Sequence, residues 1–280
     1  MTDSGSLSDP ITRAPLPTDP DDCPPLGDDF TVTLEAALIA LDLTLTPGQR
    51  AGIEAHVRLL LAWNAAINLT GIRQPGAIAL EHVADALTAI ALVRAAGIGE
   101  RPAVLDIGSG AGYPGLPLGL VLPASRLTLV DSVGKKARFL QVAGSAAVGA
   151  MTAAGEQPPE LEVVADRAEV VARDSRHRGR HDLVTARAVG PLSELAELAL
   201  PLLRPGGLLM AWKRSSEARS LADELVDAER LLPVLGGATV AVEAVRVPGL
   251  EDHRLISMRS THPSPDRFPR SPGERRRDRR

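Results

Sequence analysis

The stretch Val104-Leu105-Asp106-Ile107-Gly108-Ser109-Gly110-Ala111-Gly112-Tyr113-Pro114-Gly115 decides the fold. A short apolar run, Ala103–Ile107, enters a loop in which four of eight residues are glycine. A helical pattern over Leu116–Leu122 leaves it, and Pro114 suits the first turn. Glycines at such a turn allow positive φ and let a ligand come close to the backbone. A strand, a glycine loop and a helix in that order put a ligand at the carboxyl end of the strand, near a topological switch point.

Working outward, strands and helices alternate. Arg126–Asp131 reads as a second strand ending on an acid, followed by a helix over Lys135–Ala150. Leu161–Ala165, Asp182–Ala186 and Gly207–Trp212 read as further strands, with helices over Pro191–Leu203 and Glu217–Leu231. Thr239–Val247 and Arg254–Arg259 have no helix between them and read as a terminal pair. This order predicts an α/β fold with a doubly wound, mostly parallel sheet and one antiparallel edge strand. Upstream, Thr46-Pro47 reads as an N-cap and first helical residue for Gly48–Ile67. Asn68 caps the break, and a second helix runs from about Gly76 to Ala96 and ends at Gly97. The predicted organisation is a disordered acidic, proline-rich segment over 1–30, a helical extension over 31–98, an α/β domain over 99–262 and a basic tail over 263–280. Met151–Glu160 and Arg173–His181 read as surface insertions.

Two ligands suit the loop. Gly110, Gly112 and Gly115 match the dinucleotide pattern G-x-G-x-x-G, with Asp131 near the place of a ribose-binding acid. The alternative is S-adenosylmethionine, whose signature is a strand-end acid followed by G-x-G-x-G. Asp106, Gly108, Gly110 and Gly112 supply it. A carboxylate at that point repels a pyrophosphate and attracts a methionyl ammonium, which favours the methyl donor. Asp131 is then placed for the ribose hydroxyls. Asp166-Arg167-Ala168-Glu169 follows the third strand, where an adenine edge is read.

Composition sets the remaining bounds. The 280 residues are 44% hydrophobic, too apolar for a wholly disordered chain. The net charge of −4 divides unevenly. Residues 1–30 carry −6, residues 264–280 carry +4, and the rest is near neutral. The single cysteine, Cys23, excludes a disulfide scaffold or a cysteine-built metal site. The acidic N-terminus lacks the apolar core of a signal peptide. The apolar run around Ala84–Ala96 is broken by Asp85 and Arg94 and is too short for a membrane span. The expectation is a cytoplasmic protein with no membrane or metal partner.

Five segments resemble the bacterial ribosomal RNA small-subunit methyltransferase G family, also called the glucose-inhibited division protein B family. They are Trp63-Asn64-Ala65-Ala66-Ile67-Asn68-Leu69-Thr70, His82 with Asp85, the glycine loop through Gly115, Val130-Asp131-Ser132-Val133-Gly134-Lys135-Lys136, and Val184-Thr185-Ala186-Arg187-Ala188-Val189. Phe268-Pro269-Arg270 adds to them. The resemblance implies a class I S-adenosylmethionine-dependent methyltransferase with a helical N-terminal extension. It implies methylation of guanine N7 at position 527, in the 530 loop of 16S ribosomal RNA, on the RNA or the 30S subunit. It also implies cofactor contacts at Gly108, Tyr113, Ala168, Glu169 and Arg187. Tyr113, Gly190 and Arg214 depart from the family's usual Phe, Ala and Gly. On the residues alone three rivals stay open: a small-molecule methyltransferase of the same fold, a nicotinamide-linked dehydrogenase, and an RNA-binding module without catalysis.

Guanine N7 carries a free lone pair, so its methylation needs positioning and no general base. Arg187 and Lys213, at the ends of the fourth and fifth strands, are the candidates to read a guanine through N7 and O6 or to hold the cofactor. His82 and Asp85, three apart, are expected to pair with each other. The arginines of residues 275–280 are expected to contact phosphates.

Overall fold

The computed structural model describes residues 15–122, 125–215 and 220–277. Helices α1 (Asp28–Ala40) and α2 (Pro47–Ile67) lead into α3 (Pro75–Ile78), a π-helical stretch (Ala79–Ala84), α4 (Asp85–Leu87) and α5 (Ile90–Ala95). The sheet domain follows as β1 (Ala103–Ile107), α6 (Gly115–Val121), β2 (Arg126–Val130), α7 (Gly134–Ala153), β3 (Glu160–Val164) and α8 (Ala168–Val171). It continues through β4 (His181–Arg187), α9 (Leu192–Ala199), β5 (Leu203–Arg214), α10 (Leu221–Leu231), β6 (Ala238–Ala244) and β7 (His253–Ser260) to α11 (Pro272–Arg277).

The seven strands are ordered β3-β2-β1-β4-β5-β7-β6. Strands β1 to β5 pair in parallel, and β7 runs antiparallel between β5 and β6. The chain leaves β1 toward β2 and β3, then returns to the other side of β1 as β4. The switch point therefore lies between β1 and β4, where a doubly wound sheet opens a ligand crevice.

The helical extension is bound to the sheet domain through α2. Thr46 caps α2 by a reciprocal pair: its hydroxyl accepts from Gln49 N at 3.2 Å, and Gln49 Oε1 accepts from Thr46 N at 2.9 Å. Asn68, at φ +51, ends the helix. Asn64 secures the break by accepting from Leu69 N and Thr70 N. One face of α2 packs on α6 and α7. Gly52 lies against the Ala147 carbonyl, and Trp63 meets Phe139 with ring centroids 5.6 Å apart. A side chain as fully buried as Phe139 contributes about 1.5–3 kcal/mol.

Four local readings need correction. Disorder was expected to Phe30, yet residues 15–30 pack onto α2. Trp63 Nε1 donates to the Pro17 carbonyl at 2.7 Å, Arg58 holds Asp21 and the Cys23 carbonyl, and Cys23 is buried. Residues 1–14 lie outside the described residues. The Met151–Glu160 insertion is an anchor: α7 runs on to Ala153, and Glu156 accepts from Gly48 N at 2.8 Å and from the Thr46 hydroxyl at the positive end of α2. The Arg173–His181 loop buries His177 and His181, and its Arg178 donates to the carbonyls of Ala172, Ser264, Pro265 and Phe268. The segment Pro75–Ala95 is long and apolar enough to cross a membrane, contrary to the reading of its shorter apolar run. In this fold 72% of its apolar window is buried, and it forms part of the core beside the sheet.

Candidate functional site

The glycine loop is fixed from below and behind. Ser109 N donates to the Val130 carbonyl at 2.9 Å, and the Ser109 hydroxyl donates to the Asp106 carbonyl at 3.0 Å. Gly108 has φ +68, and a Cβ there would lie 3.0 Å from Val189 Cγ2, so the loop after β1 touches the loop after β4. Gly112 has φ +92, and its Cβ would lie 2.8 Å from His56 Nε2. His56, fully buried on α2, donates from Nε2 to the Ala111 carbonyl at 2.7 Å. Burial holds its pKa at about 4, so the ring is neutral.

Asp131 directly follows β2, one residue beyond the strand that was expected to end on it. Its carboxylate accepts from Gly110 N at 2.9 Å and from Val133 N at 2.8 Å, which ties the glycine loop to the second strand. Each oxygen retains a further lone pair. Asp106 sits deeper than the sequence reading had it. It is fully buried, accepts from the Thr185 hydroxyl at 2.7 Å, and leaves Oδ2 without a hydrogen-bond partner. Burial pushes its pKa up to about 6, against the pull of Thr185, Ser109 and Gly115. It therefore forms the negative floor under the loop and does not face the open cleft.

This set of groups fits a cationic nucleoside cofactor. The orphaned Asp106 oxygen and the Asp131 carboxylate beside the loop favour a positive ligand and oppose a pyrophosphate. Gly108, Gly110 and Asp131 would hold one end, and Ala168 and Glu169, at the start of α8, would hold the other.

Tyr113 departs from its predicted role. Its ring lies between His56 and His82, 4.7 Å from each centroid, and is almost wholly buried. The side chain joins the helical extension to the loop and does not line the cleft. Its hydroxyl has no hydrogen-bond partner, and burial raises its pKa.

Arg187 and Lys213 are both engaged within the protein. Arg187 Nη1 donates to Asp85 Oδ2 and to the Glu81 carbonyl, each at 2.9 Å, and its guanidinium lies 5.5 Å from the Tyr113 ring. Lys213 Nζ donates to the Gly190 carbonyl at 3.0 Å and pairs with Glu224 at 2.9 Å. Neither projects as a ready base reader.

His82 and Asp85 do not pair with each other. Asp85, 1% exposed, accepts from Arg187 and, at 2.7 Å, from His253 Nδ1, while Trp212 Nε1 donates to its carbonyl at 2.8 Å. His82 Nδ1 lies 2.9 Å from Arg187 Nη2. Arginine only donates, so Nδ1 accepts and Nε2–H is left to donate to the Thr70 hydroxyl at 2.7 Å. Burial, followed by the Arg187 charge, lowers the His82 pKa to about 3.

Sequence reasoning missed His253, Trp212, His56 and Thr185. Thr185 lies in a quoted segment but was given no role, and no local pattern marks the other three, because each acts on a residue far along the chain. Ala188 was also missed: it sits at φ +58 between Arg187 and Val189, a costly conformation for a residue with a Cβ. Around it opens a cavity of about 290 Å³, lined among others by Ile72, Glu81, His82, Arg187, Trp212 and Arg214. Among the described residues, no group of three or more His, Cys, Asp or Glu is placed to hold a metal ion.

One arginine of the basic tail, Arg275, differs from expectation. Arg275 is buried and pairs with Glu169, with Glu194 at 3.5 Å, and donates to the Arg270 carbonyl at 2.8 Å. Arg270 in turn chelates the buried Glu197. Arg275 is thus an internal partner of a predicted adenine reader and is not available to an RNA phosphate. Residues 278–280 lie outside the described residues.

A family model described as rRNA small subunit methyltransferase G matches residues 49–251. A relative from Symbiobacterium thermophilum, named ribosomal RNA small subunit methyltransferase G, is 38% identical over 241 residues, covering 86% of this chain and 94% of its own. One of the same name from Roseiflexus castenholzii is 42% identical over 215 residues, covering 76% and 84%. Among solved structures, the antibiotic-resistance methyltransferase Kmr superposes with a TM-score of 0.42 at 19% identity, over 61% of this chain and 92% of that one.

Proposed function

The chain belongs to the ribosomal RNA small subunit methyltransferase G family, and from that membership we propose that it methylates N7 of guanine 527 in the 530 loop of 16S ribosomal RNA. The methyl donor is S-adenosylmethionine. When bound, it supplies an electrophilic methyl group on a sulfonium sulfur. Gly108, Gly110 and Asp131, after β1 and β2, would hold one end of the donor, and Ala168 and Glu169, after β3, would hold the other. The Asp106 carboxylate beneath the loop favours its positive charge.

The protein's remaining task is alignment. N7 attacks without prior deprotonation, so no side chain has to remove a proton. Holding N7, the methyl carbon and sulfur in line contributes about 7–11 kcal/mol to the rate. Two rigid loops provide that alignment: the glycine loop after β1 and the Arg187-Ala188-Val189 turn after β4, in contact at Gly108. The helical extension closes the site through Asp85, His82 and His56. A ribosomal substrate places the enzyme in the cytoplasm.

The observation that supports this reading best is that the family match spans the glycine loop, Asp131, Glu169 and Arg187 together. The test uses 30S subunits from a strain lacking the gene, incubated with the purified protein and S-adenosylmethionine. Mass mapping is expected to find one N7-methylguanine in the 530 loop. Its absence there, with methyl transfer elsewhere or to small molecules only, overturns the assignment.

A further inference from the structure

We propose that the ion pair between Glu81 and Arg214 reads the Watson–Crick edge of the target guanine, an inference that rests on the guanine-N7 reading above. A base alkylated at N7 cannot be recognised through N7, because a hydrogen bond donated there occupies the lone pair that attacks the methyl group. Recognition has to come from the opposite edge. That edge of guanine presents the N2 amine and N1–H, both donors, and then the O6 acceptor. A carboxylate beside a guanidinium offers the complement: two acceptors, then a donor. Adenine presents an acceptor at N1 and a donor at N6, and mismatches the same pair.

The structure puts such a pair in the right place. Arg214 Nη2 donates to Glu81 Oε2 at 3.1 Å. Both residues line the cavity of about 290 Å³ at the carboxyl ends of β4 and β5, a space suited to one base. Their side chains are 36% and 48% exposed, so an entering base can reach them. The other ionisable groups of that cavity are committed deeper in the fold: Arg187 and His253 to Asp85, and Lys213 to Glu224. His82 stays neutral and bonded to Thr70 and Arg187. Ile72 and Trp212 give the cavity apolar walls. Ala188, another wall residue, is followed by Val189, which touches Gly108 of the cofactor loop. A base seated here lies next to the methyl donor's loop. Enzymes that modify a base inside a folded nucleic acid extrude it into such a pocket and read its Watson–Crick edge.

The test compares 30S particles reconstituted with guanosine or inosine at the methylated position. Inosine keeps N7, N1–H and O6 and lacks only the N2 amine. The wild-type protein is expected to methylate inosine with a kcat/KM about tenfold to a hundredfold lower, the effect of one lost charge-assisted hydrogen bond. Glu81→Ala, which removes both acceptors, is expected to lower kcat/KM for guanosine by about tenfold and to treat the two bases alike within about twofold. S-adenosylmethionine affinity and melting temperature, both measured on the variant, are expected to match the wild type, which separates reading from folding. If the wild type forms N7-methylguanine and does not discriminate against inosine, or if Glu81→Ala keeps the discrimination, the base-reading assignment is overturned. If the wild type forms no N7-methylguanine on the guanosine particle, the functional reading itself fails.

Discussion

Arg187 and Asp85 form a buried ion pair, Nη1 to Oδ2 at 2.9 Å, that fastens the end of β4 to the helical extension. Asp85 also receives His253 from β7, so one carboxylate joins three parts of the chain. Removing one partner of such a pair leaves a buried charge uncompensated and costs about 3–5 kcal/mol. Asp85→Ala is expected to lower stability by that amount in urea unfolding and to abolish methyl transfer. A variant with wild-type stability would show that the extension is held elsewhere.

Gly112 offers a test of the loop's geometry with its own control. Its φ of +92 disfavours any side chain, and a Cβ there meets His56, which is buried and hydrogen-bonded to Ala111. Gly97 has a comparable φ of +66 but nothing within 4 Å of an added Cβ. Gly97→Ala is expected to cost about 1–2 kcal/mol from backbone strain alone. Gly112→Ala is expected to cost more and to weaken S-adenosylmethionine binding about tenfold or beyond, because a shift of His56 moves the Ala111 carbonyl. Calorimetry and thermal melts of both variants check this. Equal losses would remove His56 from the loop's support.

What was legible in the sequence was what is local. Ala103–Ile107 and the loop after it follow from apolar run, glycine spacing and a helix start, and Thr46 and Asn68 act as caps where their types predict. The network around Asp85 was not legible. Helical spacing points His82 toward Asp85, yet the partners of Asp85 are 102 and 168 residues away, on two other strands. The proline-rich segment at 15–30 looked unable to order for the same reason: its partners, Trp63 and Arg58, belong to α2. Asp106 was read as a cleft residue because its position is at the strand end, while its depth depends on Thr185 across the sheet.

Arg275 separates two uses of the C-terminal segment. It is buried and pairs with the partly exposed Glu169 and Glu194, on the adenine side of the proposed donor site. Arg275→Ala is expected to raise KM for S-adenosylmethionine about threefold to tenfold with little change in kcat, the scale of one charge-assisted hydrogen bond. The salt dependence of RNA binding should stay as in the wild type. A flatter salt slope with an unchanged cofactor KM would instead return Arg275 to phosphate contact.

The buried histidines set the acid limit of the fold. His56 and His181 have folded pKa values near 4 and His82 near 3, all lowered first by burial, against an ordinary 6.5. A lowered histidine contributes stability that is complete above 6.5 and is lost as pH falls toward its folded value. Asp106 works in the opposite sense: raised from 3.8 to about 6, it contributes stability that is complete below 3.8 and lost as pH rises through about 6. Between these limits three histidines outweigh one carboxylate, and the unfolded chain holds about two more protons. Stability is expected to fall by about 2–3 kcal/mol per pH unit on acidification from about pH 6 to 4. His181 gives the clean probe, since both its ring nitrogens are buried without hydrogen-bond partners and its ring stacks on His177. His181→Phe should keep the stack, leave stability at pH 7.5 unchanged or higher, and reduce that slope by about 1.4 kcal/mol per pH unit. Urea unfolding across this range checks it, and an unaltered slope would mean that His181 titrates alike in both states.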